Sequence, residues 1–253
     1  MPGMPGQVGA ERRSRARSRV TVLARLVLFD IDGTLVWTAG AGRSAIGEAL
    51  LSEMGATGPI DDYRFDGKTD PQIIVELMTA AGHPHAASEE HIATVCRRYL
   101  ELLGGELAKR QTEIRVYPGI GRLLTTLEER GDSLLGLLTG NLAAGAEVKL
   151  TAAGLDARRF RIGAFGSDSG VRAELPPIAA VRAAPLMGRV PTGEEIVIIG
   201  DTPADMTCGL GVGARAVGVA TGRHSVVDLL AAGAQVAFED LSDTSAVLDA
   251  ICG

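Results

Sequence analysis

The sequence predicts an α/β fold: a parallel sheet with helices on both faces and a helical domain inserted into it. Three observations carry that expectation. Short, wholly apolar runs recur along the chain, as strands covered on both faces require. Helical patterns separate the later runs at the spacing of βαβ units. Between the first run and the second, roughly seventy residues show helical periodicity without a convincing strand, far more than a connection needs.

The apolar runs are "RLVLFD" (25–30), "SLLGLLTGN" (133–141), "RIGAFGSD" (161–168), "EEIVIIGD" (194–201) and "ARAVGVATG" (214–222), with "AQVAFED" as a possible last strand. Helices are expected at 143–153, 177–184, 203–209 and 225–232. The inserted region carries "RSAIGEALLSEMG", "DPQIIVELMTAAG" and "SEEHIATVCRRYLELLGGELAKR". Gly55 and Gly82 are its stop signals, and Ser88, with Glu90 and His91 nearby, marks a helix start. The expected organisation is therefore a core of 23–40 and 115–253 with an insertion at 41–114. Residues 1–22, which contain the basic "ERRSRARSRV", read as a solvated, disordered tail. Trp37, just past the first strand, is expected to pack under the hinge.

Composition narrows the function classes. The chain has 253 residues, 46% hydrophobic and 22% charged, enough for one sizeable core. A net charge of −6 gives no nucleic-acid footprint. Cys96, Cys208 and Cys252 are scattered without C-x-x-C spacing, so neither a disulfide framework nor a zinc site is expected. No run is long and apolar enough to span a bilayer. The expectation is a soluble, cytoplasmic monomer or homodimer without nucleic-acid or membrane partners.

Three strands end in residues suited to one task. The first ends in Asp30-Ile31-Asp32, another in Thr139-Gly140-Asn141, and a third in Gly200-Asp201-Thr202, with Asp205 four residues on. Ligands of an open parallel sheet bind outside the carboxyl ends of its strands. Carboxylates clustered without His or thiolate suit a hard cation, and Mg²⁺, which pairs with carboxylates and substrate phosphates, is the natural candidate. Neutralised in that way, the cluster is a phosphate site whose carboxylate can attack phosphorus. Other readings fail on the letters. "TLVWTAGAG" does not alternate as a return strand after a "DG" hairpin turn. A calcium loop from Asp30 would need an acid where Ala41 stands. "GKT" (67–69) lacks the P-loop glycine, since position 62 is Asp62, and "GLGVGA" (209–214) precedes a strand when it should follow one.

"FDIDGTL", "LLTGN" and "IIGDTPADM", in that order, resemble the haloacid dehalogenase superfamily of phosphotransferases, over nearly the whole chain from about residue 24. The resemblance implies a Rossmann-like core with the helical insertion as a cap. It makes Asp30 the nucleophile and Asp32 the general acid and then base. Mg²⁺ would sit on the Asp30 carboxylate, the Asp32 main-chain carbonyl and Asp201, with Asp205 supporting the metal or positioning a basic residue. Thr139 would hydrogen-bond the phosphoryl group, with Gly33, Gly140 and Asn141 beside it. Asp32 favours a phosphatase, because members that cleave carbon–halogen bonds lack this second acid.

The chain departs from the family at one motif. The usual Lys before the helix that precedes the last motif is missing from "SDSGVRAELPPIAAVRA" (167–183). Arg172 is the first choice for that cation and Lys149 the second, although "AEVKLTAAGL" reads equally as a surface helix. In the cap, "YRFDGKTDPQI" (63–73) holds the one polar cluster dense enough to face a site, with Arg64, Lys68 and Asp70, and it also begins a helix, with Thr69 or Asp70 capping and Pro71 in the first turn. Lys68 is expected to reach the substrate, a small phosphorylated metabolite. His83, His85, His91 and His224 read as loop or surface residues. The alternatives are a phosphomutase, which shares these motifs, and a non-catalytic phosphometabolite sensor.

Overall fold

The computed structural model describes residues 23–252. The basic tail expected at 1–22 lies outside the described residues.

Six parallel strands form the main sheet: β1 (Arg25–Phe29), β4 (Ser133–Thr139), β5 (Ile162–Phe165), β6 (Ile196–Gly200), β7 (Arg215–Val219) and β8 (Val236–Phe238). Their order is β5-β4-β1-β6-β7-β8, with β1 inside the sheet. Alternate residues face opposite sides. Val27, Phe29, Leu135, Leu137, Val197 and Ile199 belong to one apolar cluster. Leu26, Leu28, Leu134, Leu138, Ile196 and Ile198 belong to another. Helices cover both: α4 (Ile120–Arg130), α5 (Ala143–Ala152) and α9 (Thr244–Cys252) contribute to the first, and α6 (Leu175–Met187) to the second. Helices α7 (Pro203–Cys208) and α8 (Val226–Ala231) complete the core.

The segment between β1 and β4 holds α1 (Ala41–Met54), α2 (Asp70–Ala80) and α3 (Glu89–Lys109). They bury their own apolar cluster, including Ile46, Leu50, Ile74, Leu77, Tyr99 and Leu103. On α3 the buried residues Val95, Tyr99, Leu103, Glu106 and Leu107 recur at three- and four-residue steps, as one face of a helix does. Gly55 and Gly82 take positive φ where α1 and α2 stop. The Thr69 hydroxyl caps α2, accepting from the Gln72 amide at 3.2 Å, with Pro71 in the first turn.

The two chain crossings between core and cap pair with each other. Strand β2 (Val36–Trp37) runs antiparallel to β3 (Arg115–Val116). Trp37 does not pack under this hinge as expected. It is 41% exposed, with the Arg115 guanidinium 5.7 Å from its ring centre, because a two-residue ribbon has no second layer to bury it.

Candidate active site

Register brings the three strand ends together. Phe29 on β1 pairs with Leu137 on β4 and with Ile199 on β6. Asp30 therefore leaves the sheet beside Thr139 and Asp201, at one rim. The turn after Asp30 is tight. Gly33 has φ +87°, and a Cβ there would lie 2.2 Å from an Asp201 carboxylate oxygen, so a side chain is excluded on both counts. Gly140 is pressed against the cap: a Cβ would lie 2.0 Å from the Lys68 carbonyl oxygen. The Asp70 amide donates to the Gly140 carbonyl at 2.8 Å, and Asp70 Oδ2 accepts from the Leu142 amide at 2.8 Å.

The charged groups at this rim fall into two sets. Asp30, Asp201 and Asp205 form the first, all buried, each offering an oxygen within 4.8 Å of the others. Arg172 joins them from a short turn before α6; its Nη2 lies 3.3 Å from Asp30 Oδ1 and also donates to Asp205 Oδ1. The second Asp205 oxygen accepts from the Thr202 amide and hydroxyl, at 3.0 and 2.7 Å. Both Asp205 oxygens are thus engaged in holding Arg172 and starting α7. Thr34, which sequence reasoning passed over, donates to Asp201 Oδ1 at 3.2 Å.

Asp32 heads the second set, turned away from the first. Its Oδ1 accepts from Thr38 at 3.2 Å, and its Oδ2 from Asn141 Nδ2 at 2.8 Å and Lys149 Nζ at 2.6 Å. Lys149 also donates to Asn141 Oδ1 at 2.5 Å. The surface reading of Lys149 is overturned: its side chain is 6% exposed. Helix α5 packs on α3 of the cap, which covers the face carrying Lys149. Thr139 Oγ1 accepts from Asn141 Nδ2 at 2.8 Å, which leaves its own proton to donate elsewhere.

Environment separates the two acids of the first motif. Burial pushes the Asp30 carboxyl up to about 6, against the lowering effect of Arg172. Burial also raises Asp32, but the Lys149 charge and the hydrogen bonds from Lys149, Asn141 and Thr38 together hold it below the ordinary carboxylate value. Asp201 is raised well above that value by burial, then by Asp205 and Asp30. Burial opposes the charge on Lys149, yet Asp32 and Asp70 raise its pKa, so it stays an ammonium. Asp70 is itself pushed up to about 6, chiefly by burial.

Burial and mutual repulsion disfavour the ionised forms of Asp30 and Asp201, and the Arg172 guanidinium beside them does not offset this, so a bound cation would be needed to hold the set as carboxylates. An all-oxygen donor set in that condition fits a hard divalent cation and does not fit a soft one.

A cavity of about 460 Å³ opens over both sets. From the core it is lined by Asp30, Asp32, Thr139, Asn141, Lys149 and Arg172, and from the cap by Arg43, Phe65, Lys68, Asp70, Ile73 and Tyr99. Lys68 reaches this wall with its ammonium already held, by Glu76 Oε2 at 2.5 Å and Tyr63 Oη at 2.8 Å. Asp70, in the polar cluster of the cap loop expected to face a site, lines the cavity; Tyr99 is a lining residue that the sequence reading does not name. Helix-face periodicity along α3 carries a signal for Tyr99, while Asp70 combines the two expectations for its loop, a helix start and a site-facing polar group. The four histidines are not among the residues lining this cavity.

Comparison with known proteins gives the family of the chain. The family model for haloacid dehalogenase-like hydrolases matches residues 27–209, and a second HAD-hydrolase-like model matches 176–244. A probable phosphatase IndB of Dickeya dadantii is 28% identical over 220 residues, covering 86% of this chain and 90% of that protein. A phosphoglycolate phosphatase of Pseudomonas putida is 24% identical over 205 residues, covering 79% and 71%. The crystal structure of a hydrolase from Pseudomonas syringae superposes with a TM-score of 0.68 at 24% identity, covering 89% of this chain and 98% of that one. Fold, strand-end chemistry and a family match over most of the length agree: the chain belongs to the haloacid dehalogenase-like hydrolase family.

Proposed function

We propose that the protein is a Mg²⁺-dependent phosphatase that hydrolyses a small phosphomonoester through an aspartyl-phosphate on Asp30. The observation that carries this reading is the separation of the two acids. Asp30 lies among carboxylates and a guanidinium, while Asp32, two residues on, faces the cavity from its own set of hydrogen-bond donors. That separation supports attack on phosphorus by Asp30 and proton transfer by Asp32 at the opposite end of the broken bond.

In this account a carboxylate oxygen of Asp30 attacks phosphorus and the ester P–O bond breaks in line. Asp32, a carboxylate at rest, takes a proton from solvent as the bound phosphoryl group draws the Lys149 ammonium from it, and gives that proton to the leaving oxygen as the alcohol departs. Asp32, now a carboxylate, takes a proton from water as that water attacks the aspartyl-phosphate, releasing phosphate and restoring both acids. The Thr139 hydroxyl and the Gly140 and Asn141 amides bind the phosphoryl oxygens, and Arg172 offsets charge beside the nucleophile. Asp30, the Asp32 main-chain carbonyl and Asp201 would hold Mg²⁺, which when bound neutralises and orients the phosphoryl oxygens. Asp205 acts on the site through Arg172.

The test is phosphate release from a panel of small phosphate esters, with Mg²⁺ and with EDTA, for wild type and Asp30→Asn. Metal-dependent release that the variant lacks supports the reading. Release that survives Asp30→Asn removes Asp30 as nucleophile. No release from any ester, with sugar-phosphate isomerisation in its place, would replace phosphatase by mutase.

A further inference from the structure

Among the described residues, few buried side-chain polar atoms lack a hydrogen-bond partner, and one of them is the Tyr99 hydroxyl. Tyr99 is fully buried, yet it lines the cavity from α3. Its Oη lies 3.8 Å from the point where a Cβ on Gly42 would stand, and Lys149 Nζ lies 3.2 Å from that same point. A Cβ on Gly145, in the first turns of α5, would stand 3.6 Å from Oη. The phenol is therefore at the seam between cap and core, beside the cation that holds Asp32. A buried hydroxyl without a partner is unfavourable, and phenylalanine would fill the same space without that penalty.

The charges at the seam select what can pair with it. Lys149 is already shared by Asp32 and Asn141. On the cap side, Arg43 donates to the Ile60 and Tyr63 carbonyls, and Lys68 is held by Glu76. A second anionic group on the substrate would meet the carboxylates of Asp32 and Asp70 at this seam, where Lys149 is already shared; Arg223, which also lines the cavity, is an exposed side chain 4.0 Å from Asp66. An alcohol is uncharged and both donates and accepts.

Resting on the phosphatase reading above, we propose that Tyr99 is a specificity-determining residue: its hydroxyl pairs with a hydroxyl of the leaving group, so that the preferred esters are those of neutral, hydroxylated alcohols. Asp70, whose Oδ2 is held by the Leu142 amide, keeps Oδ1 to accept the proton of that same hydroxyl.

The experiment compares glycerol 1-phosphate with propyl phosphate, which lacks the hydroxyls, and with phosphoglycolate, in wild type and Tyr99→Phe. Wild type should prefer the glycerol ester over the other two. The ratio of kcat/KM between glycerol and propyl esters should fall on the order of ten-fold in Tyr99→Phe, as the loss of one hydrogen bond requires. Thermal melting of Tyr99→Phe should occur at or above the wild-type temperature, since only an unpartnered oxygen is removed. An equal loss on both esters with a lowered melting temperature would make Tyr99 structural, and a preference for phosphoglycolate would overturn the assignment. Calorimetric binding of the same esters to Asp30→Asn, with and without Tyr99→Phe, separates the two hypotheses. Discrimination in binding with no turnover by wild type sinks the phosphatase reading alone; turnover without discrimination sinks this one alone.

Discussion

Lys149 Nζ donates to Asp32 Oδ2 at 2.6 Å from the buried face of α5, which makes a helix residue of the core the counterion of the acid facing the cavity. Asp32 is thereby held as a carboxylate in the resting site. A bound phosphoryl dianion competes for the same ammonium, and to the extent that it wins, the Asp32 pKa rises toward the value an acid needs. Lys149→Met removes the lowering charge, so the alkaline limb of the kcat profile, where Asp32 loses the proton it donates, should move to higher pH. It should also destabilise the fold by about 1–3 kcal/mol by leaving Asp70 and Asp32 without their cation. The lower part of that range is expected, because the Asp32 side chain is 40% exposed and screened by solvent. A pH–rate profile and a thermal melt check both; an unmoved alkaline limb would separate Lys149 from the protonation of Asp32.

Arg172 touches the nucleophile itself, at 3.3 Å, while Lys149 touches only the acid. Arg172→Ala should therefore cost more activity than Lys149→Ala, on the order of 10²–10³-fold in kcat for a preorganised charge beside the reacting group. Arg172→Lys should recover part of it, since Nη2 is the one guanidinium nitrogen spanning Asp30 and Asp205 and an ammonium can occupy its place. Steady-state kinetics on the three variants give the order, and its reversal would reassign the cation beside phosphorus.

Asp201 is an acid whose ionised form the metal-free fold disfavours, through burial and its neighbours Asp205 and Asp30. Asp201→Asn should melt higher than wild type in EDTA at neutral pH, by roughly 2–4 °C for each kcal/mol relieved in a chain of this size. In Mg²⁺ the order should reverse, because wild type gains from binding and the variant does not. Equal melting temperatures in both conditions would mean that the triad is not the metal site.

Raised carboxyl pKa values also fix the direction of the pH dependence. Asp30 sits at about 6, so below that pH protons compete with the metal for it. Magnesium affinity should rise with pH through about 6, with protons released on binding. Stability of the metal-free protein should change the opposite way. A carboxyl raised above its unfolded value binds more protons when folded, so Asp30 and Asp70 stabilise most below about 4 and lose that contribution as pH rises through about 6. Calorimetry in two buffers of different ionisation enthalpy measures the first, and melts in EDTA across pH the second.

Much of this arrangement was legible in the sequence because it depends on local order. An apolar run followed at once by Asp30, Thr139 or Asp201 states where a strand stops and what stands at its end. The α4 helix, with Ile120, Leu123, Leu124 and Leu127 buried, had the same kind of signal and was not read. Other features had none. The β2 and β3 strands are two residues each, too short for any periodicity. Lys149 lies among small residues in "AAGAEVKLTA", and only the packing of α3 on α5 buries it. The role of Asp70 was hidden for a similar reason: its two bonds to residues 140 and 142 cross from cap to core, about seventy positions along the chain.

Trapping the covalent intermediate tests the central claim most directly. In Asp32→Asn, p-nitrophenyl phosphate needs no acid to expel its leaving group, whereas the second step still lacks its base. Rapid mixing with Mg²⁺ should release about one nitrophenolate per site in a burst. Acid quenching should then show one phosphoryl group added to the protein and located on Asp30. Continued turnover of Asp32→Asn with no burst and an unmodified Asp30 would contradict the account.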